Sequence, residues 1–385
     1  MLRCASVYTC EVDDPNVALT EIKSQLDKKI KLLEHSVGVI MCHSEFIATG
    51  VLRHICENLP FDLAGVTTSS QAVNDEVGEL MLTIFVMTSD DVRFRAGVTE
   101  KLGGDVDSQV KAAYDKASSG ETEMPKLVLA FPPFGLHAGD VYVRAWGKVT
   151  PDKPVFGTHA IDDTASFSEC ETIYNGGSHK AAMAFVLCYG NINPRFLVVT
   201  FTQNNAVSSK ASVTKAAGNC VFEINNDVAL KYFEDRGFVE SVKFTPFMID
   251  FLEREDYDGV PVIRGHAAFT DEGAAVFYGD VDEGAVFTLL TTDADDIVSA
   301  TRQKVREMNA LSGINGALLF SCVVRRVAFL GIDKPLLELQ SAKDLIRPEI
   351  PFMMGYAGGE ICPTSVTGDT VTNRFHNYSL VILVV

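Results

Sequence analysis

One order of elements recurs along this chain of 385 residues, and no other feature restricts its fold as much. An amphipathic helix comes first, with Leu19, Ile22, Leu26, Ile30 and Leu33 at three- and four-residue steps and Lys and Asp between them. It begins near Pro15-Asn16 and opens the fold. The apolar run VGVIMC (37–42) reads as a buried strand, residues 44–58 as a second helix, and FDLAGVTTSS (61–70) as another strand-like segment. LMLTIFVMT (80–88) and DVRFRAGV (91–98), separated by the turn residues Ser89-Asp90, predict a hairpin.

The order returns with a helix at 105–118, the strand KLVLAFPP (126–133), a helix at 137–148, the segment PVFGTHAIDD (154–163) and paired strands near 170–189. A third copy closes the chain. Its helix covers 293–311, its strand is GALLFSCVVRR (316–326), and a helix near 336–346 leads to PFMMGYAGGE (351–360) and the terminal strand YSLVILVV (378–385). Each copy sends a buried strand and a helix into a short glycine-bearing segment: LAGVTTSS, VFGTHAID, FMMGYAGGE. The fold class this predicts is layered α/β, with three repeated helix-strand-helix-strand units plus a β-rich insertion region. That insertion, about 190–292, alternates pieces such as FLVVTFT (196–202), VPVIRGHAAFT (260–270), AAVFYGD (274–280) and AVFTLL (285–290) with turns rich in Gly, Asp and Glu. Its one helix is expected at 226–237, with an Asn N-cap and Gly237 as C-cap. The polar stretch QNNAVSSKASVTKAAGN (203–219) suggests a domain boundary near 205–220.

Composition narrows the function. With 47% apolar and 22% charged residues the chain is of the folded, globular kind. A formal charge of −18, from 33 Lys and Arg against 51 Asp and Glu, repels phosphate backbones and anionic bilayers, so neither nucleic acid nor membrane is an expected partner. No apolar run approaches the roughly 18 residues that span a bilayer, and MLRCASVYTC has no secretory apolar stretch; a cytoplasmic location is expected. Nine cysteines without a CxxC pair predict reduced, mostly buried thiols rather than a zinc site or disulfide framework. GxxxxGK[ST], GxGxxG, GxSxG and HExxH are all absent.

What remains are polar residues where glycine-bearing backbone leaves a buried strand, the position at which α/β sheets carry ligands. Arg325 follows ALLFSC, and a guanidinium ending a buried strand must find a carboxylate or an anion. Glu360 ends GYAGGE, so an Arg325–Glu360 ion pair under a pocket competes with direct contact between Arg325 and a ligand's negative group. Thr67, Thr68 and Ser69 could line a ligand edge or simply cap and stitch the chain. Asp162-Asp163 read more readily as a turn than as a cation site. Trp146 and Met353-Met354 read as core, and each histidine singly as structural. Cys322, with Arg325 lowering its thiol pKa, would be the nucleophile of a Cys-dependent enzyme, although no base stands near it in the sequence.

The combination FSCVVRR (320–326), PFMMGYAGGEICP (351–363) and NRFHNYSLVILVV (373–385) resembles the C-terminal half of FIST-domain proteins in order and spacing. VIRGHAAFTDEGAAVFYGDVDEGAVFTLL (262–290) is similar to that family's Arg-bearing strand and Gly-rich double hairpin, and LAGVTTSSQAV (63–73) and PVFGTHAIDD (154–163) resemble its N-terminal elements. Thr158 stands where a second glycine is common, and an extra residue separates Ala160 from Asp162-Asp163. The similarity runs over nearly the whole chain, most strongly after about residue 220. It implies a FIST N-terminal domain at 1–218 and a FIST C-terminal domain at 219–385. It also implies a non-enzymatic sensory protein that binds an amino acid or another anionic or zwitterionic small molecule and regulates a separate partner, such as a histidine kinase or cyclic-dinucleotide enzyme. The ligand positions it suggests are Arg325, Glu360, Cys322, Gly355, Tyr356, Gly359, Asn377, Arg264, Thr67, Thr68 and Gly157. Some stand-alone members are haem-binding nitric oxide sensors; for that cofactor His376 and His266 would be the axial candidates, with no metal site otherwise expected.

Overall fold

The computed structural model describes residues 1–164, 166–199, 208–236, 246–250, 262–290, 292–329, 333–368 and 370–385, with the side chains of 246–250 excepted. The expected C-cap Gly237, residues 201–207 and residues 260–261 lie outside the described residues.

The first unit holds β1 (Arg3–Thr9), α1 (Pro15–Lys29), β2 (His35–Cys42), α2 (Glu45–Ala48), α3 (Val51–Glu57), β3 (Asp62–Thr67), β4 (Gln71–Val73), β5 (Val77–Gly78), β6 (Leu82–Ser89) and β7 (Val92–Val98). The second holds α4 (Val106–Ala117), β8 (Leu127–Phe131), α5 (Gly139–Val149), β9 (Val155–Thr158), β10 (Thr172–Tyr174), β11 (Gly177–His179), β12 (Ala184–Gly190) and β13 (Arg195–Val199). The insertion comprises β14 (Ala211–Ala217), β15 (Cys220–Ile224), β16 (Asp227–Val228), α6 (Ala229–Glu234), β17 (Pro246–Asp250), β18 (Val262–Phe269), β19 (Ala275–Phe277) and β20 (Val286–Leu289). The third unit has α7 (Ala294–Asn309), β21 (Ala317–Cys322), α8 (Val323–Val327), α9 (Leu337–Leu345), β22 (Phe352–Ala357), β23 (Glu360–Thr367), β24 (Thr370–His376) and β25 (Leu380–Val384).

The leading helix of each unit starts the same way. Asp14 accepts from the amides of Asn16 and Val17, Asp105 from Ser108, and Asp293 from Asp296, so each carboxylate satisfies amides that the first helical turn leaves open. Pro15 at the first helical position of α1 fits the same rule. The helices then dock by one face; α1 buries Ala18, Ile22 and Leu26, and each large apolar side chain so removed from water contributes about 1.5–3 kcal/mol.

Each unit contributes one parallel strand pair: β2 with β3, β8 with β9, β21 with β22. A later strand of the same unit returns antiparallel beside the first member of the pair: β6, β12 and β25. The hairpin that follows the second member does not stay at home. The hairpin β4–β5 of the first unit adds to β22 of the third, β10–β11 of the second adds to β3 of the first, and β23–β24 of the third adds to β9 of the second. Three 6-stranded sheets of one topology result: β1-β6-β2-β3-β10-β11, β7-β12-β8-β9-β23-β24 and β13-β25-β21-β22-β4-β5. A fourth, 7-stranded sheet (β14-β20-β17-β18-β19-β15-β16) is built from the insertion.

Several expectations are corrected. The fold opens with β1, not with α1. The hairpin expected at 80–98 does not form, because β6 gives one edge to β1 and the other to β2, and a strand has only two; β7 therefore pairs with β12. The strand expected through Arg326 stops at Cys322, and 323–327 turn into α8. The predicted single helix at 44–58 is broken at Gly50, whose φ of 82° suits glycine. Asn225 and Asn226 do not cap a helix; with φ of 52° and 67° they form the tight turn between β15 and β16, and α6 begins at Ala229.

Candidate functional site

The connections that leave β3, β9 and β22 meet at one hub. Ile161 donates its amide to the carbonyl of Thr67 at 3.0 Å, Tyr356 to Ser70 at 3.1 Å, His159 to Gly359 at 3.0 Å and Gly358 to His159 at 3.0 Å. Here the hydroxyls of Thr67 and Thr68 are stitches. The Thr67 hydroxyl accepts from the Glu171 amide at 2.9 Å, and the Thr68 hydroxyl donates to the carbonyl of Tyr356. The Gly359 carbonyl also accepts from the Thr158 hydroxyl at 2.9 Å and lies 3.3 Å from His159 Nδ1, which must carry the proton to bond there. The imidazole is fully buried, and that burial lowers its pKa to about 4. Asp162 holds the turn, taking the amide and hydroxyl of Thr164, both at 2.7 Å.

Under the third crossover lies a sealed polar network. Arg325, on α8, is 0% exposed. Its Nε and Nη2 donate to Glu338 at 3.1 and 2.8 Å, Nη2 also to the Thr301 hydroxyl at 2.9 Å, and Nη1 to the Tyr378 carbonyl at 3.3 Å. Glu338 further accepts from Ser321 at 3.1 Å and Thr301 at 2.8 Å. The anticipated Arg325–Glu360 pair is thus corrected: the partner is Glu338 on α9, because ending the strand at Cys322 swings position 325 back between α7 and α9. The buried hydroxyl of Tyr356 stands against the same carboxylate, and burial first, then Glu338, pushes its pKa up.

Glu360 is also 0% exposed. One carboxyl oxygen accepts from the Ser379 hydroxyl at 2.7 Å; the other completes no hydrogen bond, with the Cys322 thiol beside it. Burial drives the Glu360 pKa well up, against the smaller pull of Ser379 and Arg325. Cys322 is raised by burial and then by Glu360, with Arg325 a weaker opposing influence. Both groups therefore favour their protonated forms. Tyr278, from the insertion, and Tyr378 flank the thiol and are likewise raised, burial first and Cys322 next.

The insertion is clamped to the hub. Arg264 donates from Nε to the Asp280 carbonyl at 2.7 Å, from Nη1 to the Phe375 carbonyl at 2.8 Å, and from Nη2 to both oxygens of Asp140 at 3.2 Å. Asp140 stands in the first turn of α5, where helix amides favour a negative charge. Asn377 accepts from the Gly265 amide at 3.1 Å. A Cβ on Gly157 would sit 1.8 Å from the Ala130 carbonyl oxygen, and one on Gly355 would sit 2.6 Å from the end of Met41; both glycines are spent on close packing.

The two histidines named for haem stand in packed surroundings. His266 is ringed by Phe269, Phe233 and Phe277 at centroid distances of 4.3, 5.7 and 5.8 Å. His376 is buried with Nε2 at 3.2 Å from the Cys362 carbonyl. Among the described residues no group of three or more His, Cys, Asp or Glu could hold a metal ion.

The hub brings together Cys322, Glu360, Gly359, Tyr356, Thr67, Thr68 and Asn377, leaves His266 in the core of the insertion, and adds Glu338, Thr301, Ser379, Tyr278, His159 and Asp140. Glu338 had a readable signal: it stands on the stripe of Ser341, Ala342 and Leu345, where an apolar residue is expected. The others carried none.

Crossover connections of three parallel pairs, converging on one buried polar cluster, define an α/β domain of the ligand-binding kind. The FIST N domain model matches residues 36–227 and the FIST C domain model residues 227–363; the chain belongs to the FIST-domain family, whose members are sensory domains that bind small ligands in signalling proteins. No curated protein matches the chain.

Proposed function

We propose that this chain is a cytoplasmic sensor that takes a small molecule at the hub and regulates a separate signalling protein, of the histidine kinase or cyclic-dinucleotide enzyme kind. The reading rests on one observation above the family: Glu360 is fully buried, with one carboxyl oxygen on Ser379 and the other facing, among the described residues, only the Cys322 thiol, beside β9 and the start of β23. A cationic donor placed beside Glu360 would favour the ionised carboxylate that burial otherwise disfavours and would engage its open oxygen. Because Arg325 is engaged by Glu338, an amino acid ligand would present its amine to Glu360 rather than its carboxylate to Arg325. We read the three sheets as one supersecondary unit used three times, with the third unit specialised for binding.

The two alternatives are weaker. A haem-based nitric oxide sensor needs an axial imidazole, and His266 and His376 stand in filled surroundings. A Cys-dependent enzyme needs a thiolate and a base, whereas Cys322 favours its thiol form and its neighbour Glu360 favours the protonated acid.

A thermal-shift panel of amino acids, carboxylates, nucleotides and haemin tests the proposal. A ligand at about 100 times its Kd stabilises by about 2.7 kcal/mol, a rise of several degrees. The expected result is a response to an amine-bearing compound that Glu360→Gln abolishes. Silence throughout, or an unchanged response in that variant, would refute it, and a Soret band after haemin treatment would favour the haem reading.

A further inference from the structure

The chain carries 51 acidic residues against 33 Lys and Arg, yet one cleft reverses the sign. It lies between the C-terminal part of α1 and the connection from α3 to β3, and has a volume of about 770 Å³. Lys23, Lys28, Lys29 and Lys31 line it, with Asp27 the one carboxylate among its lining residues. Among its apolar lining residues Ile30 and Pro60 reach solvent, while Leu26 and Leu59 are largely buried in the core behind them.

The fold accounts for only part of this charge. Lys29 donates to the Ser6 carbonyl at 2.9 Å and pairs with Asp75, and Lys28 and Lys29 stand in the last turn of α1, where the helix dipole favours cations. Lys23 and Lys31 have no such role. Lys23, Lys28 and Lys31 are all exposed, and none has an ion-pair partner among the described residues. Lys23 and Lys28 lie five residues apart on α1 and Lys31 two residues beyond its end, so with Asp27 the one carboxylate in the lining the cleft carries an excess of positive charge.

We propose that this cleft docks an acidic amphipathic segment of the separate signalling protein, with carboxylates on Lys23, Lys28 and Lys31 and apolar side chains on Ile30 and Pro60. That the segment belongs to a signalling protein rests on the function proposed above; the surface rests on its own charge reversal and on Ile30 and Pro60. A free inorganic anion would leave those two uncovered. An anionic bilayer would face a wide area of a chain with a formal charge of −18, whereas a peptide touches the cleft alone.

The probe is a short fluorescein-labelled helical peptide with Glu on one face and Leu on the other, followed by anisotropy against the full chain. Saturable binding is expected, weaker at about 200 mM than at about 20 mM NaCl as screening sets in. K23E/K28E/K31E should weaken it at least about tenfold, while the control K101E/K126E leaves it unchanged. Absence of saturable binding to the unmodified chain, equal binding by the triple variant, or capture by phosphatidylglycerol vesicles with the peptide silent would overturn the proposal. The thermal response to small molecules at the hub is read on the same triple variant, so loss of docking and loss of sensing are told apart.

Discussion

Arg325 and Glu338 form an ion pair in which both side chains are fully buried, and such a pair is strong only while both members are present. Removing one leaves a charge with no water and no partner, at about 3–5 kcal/mol. Glu338→Leu should therefore lower the urea midpoint sharply, and adding Arg325→Met should recover most of the loss; equal stability of the single and double variants would contradict this account. His159 makes a second prediction, about pH. Its folded pKa of about 4 lies below the unfolded value near 6.5, so the unfolded chain binds the proton more tightly between those limits. Stability contributed by the neutral imidazole is complete above about pH 6.5 and falls as pH drops toward 4, by about 3 kcal/mol at most. Glu360, raised in the fold, works in the opposite sense from about pH 4.3 upward, so the effect is read as a difference. Unfolding curves of His159→Gln should show a shallower acid loss than the unmodified chain. An identical slope would remove His159 from the explanation.

At the scale of elements, helices were read well because their periodicity and Asp caps are local. The helices α4 and α7 fall within a residue or two of the spacing-based expectation, and α1 begins where expected but ends at Lys29, before the Ile30 and Leu33 that continue its apolar spacing. Strands were found where apolar runs are continuous, but their partners were not legible. Ser89 illustrates why: its hydroxyl accepts from the amides of Asp91 and Val92, both at 3.0 Å, turning a corner that resembles a hairpin while the two strands enter different sheets. Val323 and Val324 read as strand by propensity and are helical by packing. The glycines of the second parallel strands permit a ranked test. Gly157 faces the fixed backbone of Ala130, whereas Gly355 faces the flexible end of Met41. Gly157→Ala should thus destabilise by roughly 3 kcal/mol or more, and Gly355→Ala by about 1–2 kcal/mol. Thermal unfolding decides, and equal losses would defeat the ranking.

At the scale of the whole molecule, the two family domains are not two separate bodies. β4 of the N-terminal part completes a sheet around β22, β13 lies beside β25, and β23 beside β9. Local chemistry alone was enough to reveal the mixture of helices and strands, the glycines Gly65, Gly157 and Gly355 on β3, β9 and β22, and Cys322 at the end of its buried strand β21. Those features depend on neighbours a few residues apart, and the spacing of apolar, capping and glycine residues records them directly. The cyclic exchange of hairpins, the choice of Glu338 over Glu360 as the partner of Arg325, and the engagement of the Thr67 and Thr68 hydroxyls were decided only when distant segments met. A backbone edge or a buried guanidinium accepts any partner of the right chemistry, and which one reaches it depends on the packing of the entire chain.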